Sequence, residues 1–174
     1  MKNLAKFLVI AAVVLLTLPG RTPATPGAGI PDSEAFDKLK SMVGHWEQQK
    51  SGGEKGTLDI EVTAGGSAIL ERSSEVVDGK QVQMTTVYYL DGDHVQLTHY
   101  CMAGNQPTMR GTYAPDKKTL TFDFVAATNM KTPNDGHMHH AVYVFLDNDH
   151  IKQTWTFRKN QKDTFSEEAI YVRK

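Results

Sequence analysis

Val95, Leu97, His99 and Cys101 alternate along the chain, and alternate residues of an extended segment point to the same side. An imidazole and a thiol therefore interrupt an otherwise apolar wall, while Gln96, Thr98, Tyr100 and Met102 face the other way. A second series behaves alike, with His137, His139, Ala141, Tyr143 and Phe145 on one face. Its opposite face holds Met138, His140, Val142, Val144 and Leu146. Both faces are apolar enough for burial, so the pattern does not choose between them, and a helix is available to cover the outer one.

These types and spacings point to a few chemistries. A histidine inside an apolar cavity can orient a ligand or move a proton, as an isomerase or cyclase would require. Histidines separated by one strand residue stand about 7 Å apart at Cα. They can converge on zinc or copper, with His99 or Cys101 completing the site from another strand, or one can ligate haem. The simpler reading starts a strand at the sheet rim over Gly136 to His140, with its histidines solvated or bonded to loop carbonyls. That reading is favoured, because no supporting carboxylate or cysteine spacing and no haem-attachment cysteine pair is present. No metal and no cofactor is expected.

Asn105 and Gln106, between Gly104 and Pro107, add amide groups beside the His99 wall. They serve either as a turn that satisfies its own backbone or as a ligand gate. Arg110 can meet a carboxylate ligand or lie in solvent. Other catalytic signatures are missing: there is no Gly-x-Ser-x-Gly elbow, phosphate loop or dinucleotide fingerprint. Gly52, Gly53, Gly56, Gly65 and Gly66 lie between strand patterns and read as hairpin residues. Glu167 and Glu168 are adjacent, hence on opposite faces, and cannot act together as an acid/base pair. A Cys101–His nucleophile lacks an orienting partner. Binding is accordingly expected in preference to catalysis.

The elements that must position these groups are strands. Turn-forming clusters recur at Ser51-Gly52-Gly53, Ala64-Gly65-Gly66, Asp78-Gly79, Asp91-Gly92-Asp93, Ala114-Pro115-Asp116, Asp147-Asn148-Asp149 and Lys159-Asn160. Between them Leu58, Ile60 and Val62, then Leu120, Phe122 and Phe124, then Ile151, Gln153, Trp155 and Phe157 alternate with polar neighbours. About eight to ten strands in sequential hairpins predict an all-β, antiparallel up-and-down barrel, whose closure removes exposed edges. A two-sheet sandwich is the alternative. One short helix precedes the strands: Asp32 or Ser33 caps it, Phe36, Leu39, Lys40 and Val43 recur at helical spacing, and Gly44 stops it. Trp155 reads as barrel wall or as a ligand platform, and its indole N–H requires a partner in either case.

Residues 1–20 read as a secretory signal peptide: Lys2 and Lys6, then an uncharged apolar run from Phe7 to Leu18, too short for a comfortable bilayer span. Residues 21–31, rich in proline and glycine, read as a flexible leader, and 32–174 as one barrel domain. Export to the periplasm or the exterior is expected, with no stable membrane anchor after signal removal. Cys101 is the single cysteine, so packing without an intrachain disulfide must supply stability. Formal net charge is −1 with no basic run, which argues against nucleic acid and anionic membranes as partners.

The helix followed by Gly44-His45-Trp46 on the first strand resembles the calycin group, the lipocalin-like barrels. The chain is also similar, over nearly all of its mature length, to an uncharacterised family of exported bacterial lipocalin-like domains, a domain of unknown function. That likeness is carried by His99-Tyr100-Cys101-Met102-Ala103-Gly104-Asn105-Gln106-Pro107 and Asp135-Gly136-His137-Met138. The lipocalin resemblance implies a small-molecule cavity and a Trp46 that plugs the closed end; the closer family implies no particular activity. The expected guest is a small hydrophobic or amphipathic molecule, held by Tyr88, Phe124 and Trp155 and oriented by His99, Asn105 and Gln106, with His139 as a further contact or proton carrier. A filled barrel acting through its surface in an envelope complex is the remaining alternative.

Overall fold

The structure is a computed structural model, and it describes residues 32–49, 55–77 and 79–174. The expected signal peptide and the whole of the leader, with Ser51-Gly52-Gly53 and Asp78, lie outside the described residues. Helix α1 spans Asp32–Lys40, followed by β1 Gly44–Gln48, β2 Thr57–Thr63, β3 Ala68–Val77, β4 Lys80–Asp91 and β5 His94–Tyr100. Then come β6 Gln106–Tyr113, β7 Thr119–Thr128, β8 His137–Phe145, β9 His150–Lys159 and β10 Lys162–Arg173. Each strand pairs antiparallel with its sequence neighbour, and β1 also pairs with β10, so the ten strands close into an up-and-down barrel. Among the described residues, hairpins form at Ala64-Gly65-Gly66, Asp91-Gly92-Asp93, Ala114-Pro115-Asp116, Asp147-Asn148-Asp149 and Lys159-Asn160, as the turn chemistry predicts, whereas the β7–β8 connection over 129–136 lies outside the turns read in the sequence. Asn160 and Gln161, between β9 and β10, both adopt positive φ, as the twist of a tight hairpin requires.

Helix α1 closes one end. Ala35, Phe36, Leu39 and Met42 are buried, whereas Val43 is 41% exposed, which differs from the spacing read in the sequence. The helix tightens as it ends: Met42 N–H donates to the Leu39 carbonyl at 2.9 Å and Val43 N–H to that of Lys40 at 3.1 Å. Three-residue closure rotates Met42 inward and leaves Val43 outside. Trp46 lies beneath, fully buried, donating its indole N–H to the Met42 carbonyl at 2.7 Å. The Arg173 guanidinium stacks 4.1 Å from the Trp46 ring and donates to the Val43 and Ser41 carbonyls, tying the last strand to the helix end.

Above this plug the interior is filled by side chains. Ile69, Leu97, Met109, Leu120, Phe122, Tyr143 and Tyr88 are fully buried, with Tyr88, Phe122 and Tyr143 packed mutually at tilted or edge-on angles. Gly111 belongs to this packing, since a Cβ there would stand 3.0 Å from Phe122 and 3.1 Å from Val95. Strict alternation fails once in β8. His137 and Met138 pair with Arg158 and Phe157, but His140 pairs with Thr156, so the register shifts between Met138 and His140. That bulge turns Met138 inward toward Trp155, whereas simple alternation puts Met138 on the face opposite Ala141 and Tyr143.

Candidate functional site

Packing loosens toward the end opposite α1, where a cavity of about 40 Å³ remains. Strand β5 brings His99 to its wall and β9 brings Trp155, their rings in tilted contact with centroids 4.6 Å apart. His99 is only 4% exposed. Its Nδ1 is bonded to Thr86 Oγ1 of β4 at 2.9 Å, while Nε2 has no hydrogen-bond partner. Burial pulls its pKa from 6.5 to about 4, so the ring is neutral at physiological pH. A buried, unsatisfied imidazole nitrogen at a cavity wall is a standing demand for a polar partner.

The floor is a carboxyl that sequence reasoning missed. Glu71 of β3 is buried, and three neutral groups converge on it in a chain. The Tyr88 hydroxyl donates to Glu71 Oε2 at 2.9 Å and shares a 2.8 Å bond with Tyr143, and Gln153 Nε2 approaches the same oxygen at 3.4 Å. Gln153 Oε1 in turn accepts the Trp155 indole N–H at 3.3 Å, the partner that this residue requires. Desolvation raises Glu71 from 4.5 to about 7 despite these bonds. Farther along β3, Glu75 accepts from the Tyr171 hydroxyl at 3.1 Å and is likewise raised, by burial and by the charge of Glu167. Glu167 lines the exposed side of the same cavity, with Leu58, Met84, Met138 and Ala169 completing it.

Period two along β3 does put Ile69, Glu71, Ser73 and Glu75 on one face. Three polar residues of four read as a solvated face, and only the closed barrel turns that face inward. Glu167 and Glu168 do point oppositely: Glu168 pairs with Lys152 at 3.2 Å outside, and Glu167 meets carboxyls from across the barrel.

The remaining candidate residues fall into two groups. Tyr88 lies beneath the cavity floor, bonded to Glu71. Phe124, His137 and His139 form a separate ring cluster, with Phe124 4.6 Å from His137 and 5.0 Å from His139. His137 Nδ1 lies 2.8 Å from the Asp135 carbonyl, which can only accept, so Nδ1 carries the proton; Nε2 then accepts from His139 Nδ1 at 3.1 Å. Both nitrogens of His137 are thus occupied, one by a loop carbonyl. Among the described residues no group of three His, Cys, Asp or Glu side chains is arranged to hold a metal ion. Cys101 is partly buried, and burial raises its thiol pKa, which disfavours the thiolate.

Asn105 and Gln106 hold the rim. Asn105 Nδ2 donates to the Gly136 carbonyl at 2.8 Å, joining the β5–β6 loop to the β7–β8 loop, and its Oδ1 is buried without a partner. Gln106 donates to the Gly104 carbonyl at 3.2 Å and accepts from the Thr128 hydroxyl. Arg110 is exposed. The loop segments at Asn105 and Gly136 are therefore bonded to each other. Gly136 fits because the Phe157 ring lies against it; a Cβ there would approach that ring to 2.5 Å.

No family model matches the chain, and no curated protein matches it. In structure it is similar to Rv2717c from M. tuberculosis, with a TM-score of 0.57 and 15% sequence identity, over 80% of this chain and 97% of that one. A likeness at that identity speaks to the fold alone. No helix among the described residues is long and apolar enough to cross a membrane.

Proposed function

We propose that this protein is an exported, lipocalin-like carrier that binds one small amphipathic molecule at the end of the barrel opposite α1. The observation that carries the reading is His99, packed against Trp155 at a cavity wall with its Nε2 unpartnered. A guest with a polar atom at that nitrogen removes a desolvation penalty of about 1–3 kcal/mol that the empty site bears. Its apolar body lies against Leu58, Met84, Met138 and the Trp155 ring. The filled lower barrel supports a compact guest, since Tyr88, Phe122 and Tyr143 occupy the space that a long hydrophobic ligand needs. The uncharged run from Phe7 to Leu18 supports export, and N-terminal sequencing of the mature protein tests it.

Native mass spectrometry of the protein isolated from its own compartment tests the binding reading. The expected result is an added mass that the His99→Leu, Trp155→Leu double variant no longer retains, with its circular dichroism unchanged. Visible absorption of the same sample identifies a chromophoric guest such as haem. A bare polypeptide mass, together with identical ligand-screening profiles for wild type and the double variant, overturns the proposal.

A further inference from the structure

We propose that the guest is an organic cation: a small molecule whose ammonium group sits beside Glu75, between the buried Glu71 and the exposed Glu167, while its short apolar body lies beside Trp155. This rests on the binding function proposed above.

Three carboxyl groups and no lysine or arginine line the cavity. Elsewhere the glutamates find cations: Glu34 pairs with Lys117, Glu61 with Arg72, Glu168 with Lys152, and Glu47 with Lys55 and Lys174. Glu71, Glu75 and Glu167 form no ion pair among the described residues. The bonds to Glu71 come from neutral Tyr88 and Gln153, and that to Glu75 from the neutral Tyr171 hydroxyl. Repulsion between these carboxyls adds to the cost of their burial, because Glu75 acts on Glu71 and Glu167 acts on Glu75. A buried acidic cluster without a counter-charge is costly for a fold to keep, and a cationic guest relieves that cost.

His99 points independently to a guest. Its Nδ1 is held by Thr86, so when Nδ1 donates to that hydroxyl, the unpartnered Nε2 of this cavity-lining residue carries a free lone pair. That is the acceptor that an ammonium N–H needs. His99 is neutral as well, so it does not repel a cation. The Trp155 ring offers a π-face for cation–π attraction.

The carboxyls are strung along the cavity from the buried Glu71 to the exposed Glu167, and no set of three ligands among the described residues converges for chelation. That spacing fits an ammonium with several N–H donors better than a metal ion. Size is consistent with this: a cavity of about 40 Å³ fits a short alkylammonium.

The two tryptophans supply the test, because Trp155 borders the cavity and Trp46 lies under α1 as an internal control. Their indole N–H signals are followed by NMR while n-propylammonium, propan-1-ol or propionate is added at pH 8 and constant ionic strength. Propylammonium is expected to shift the Trp155 signal saturably, leave Trp46 unmoved, and bind at least ~10-fold more tightly than either other probe. Glu75→Gln is expected to weaken it about tenfold, and Glu167→Gln, at the exposed mouth where folding is safe, about two- to threefold. If propan-1-ol or propionate shifts Trp155 at equal or lower concentration, the cation inference fails and the binding function stands. If no probe moves Trp155, both fail.

Discussion

Two tryptophans mark two ends of one barrel built on different terms. Trp46 is fully buried, its N–H satisfied by a backbone carbonyl four residues away and its ring covered by Arg173. Trp155 is only partly buried, gives its N–H to the side chain of Gln153, and packs at a tilt against a histidine with an unpartnered nitrogen. The helix-capped end satisfies its polar groups with backbone and packs its apolar ones tightly. The far end leaves polar groups wanting. The first arrangement produces stability; under the proposed binding function, the second keeps free energy available for a ligand.

Breaking the closed end has the largest expected effect. Trp46→Ala removes the plug, strands the Met42 carbonyl and takes away the ring under the Arg173 guanidinium, so a loss of about 3–5 kcal/mol is expected in urea denaturation. Trp155→Ala should cost clearly less. Equal losses would erase the distinction between the ends.

Titration comes next, and it opposes two groups of the cavity end. Folding raises the Glu71 pKa from 4.5 to about 7, so its contribution is full below pH 4.5 and is lost as pH rises through 7. Folding lowers that of His99 from 6.5 to about 4, so its contribution is full above pH 6.5 and is lost as pH falls through 4. Each is of the order of 3 kcal/mol, and they nearly cancel between pH 4.5 and 6.5. Urea midpoints of Glu71→Gln should therefore rise with pH across that window, and those of His99→Gln should fall. Parallel profiles for the two variants would contradict the assignment.

A smaller effect separates rim from plug. Gly136→Ala forces a Cβ into the Phe157 ring and should cost about 1–3 kcal/mol through overpacking, with the stacked Phe157–Phe165 pair displaced. The effect is read as a lowered melting temperature with altered Phe165 ring signals. Smallest of all, Lys152→Ala, which removes the exposed partner of Glu168, should change stability by less than about 0.5 kcal/mol.

Local pattern carried the fold because its rules are local. Alternation in Leu120–Phe124 and Ile151–Phe157, and turn residues such as Asn160, read as strands and hairpins, and sequential hairpins leave closure as the way to remove edges. The same rules misplace Val43, where a tightened helix end adds rotation, and Met138, where a bulge adds a residue to the strand. Neither irregularity has a composition of its own.

The sequence by itself determined a strand-rich domain behind one short helix, and it marked His99 and Trp155 as polar or amphipathic groups on apolar faces. Only the tertiary structure brought those two rings together, separated them from the His137–His139–Phe124 cluster, and turned Glu71, Glu75 and Glu167 toward one cavity. The reason is physical: which face of a strand is inside, and which distant strand lies opposite, are properties of barrel closure and register. Glu71 of β3 meets Tyr143 and Gln153 of β8 and β9 only because the sheet curls, and no spacing along the chain records that meeting.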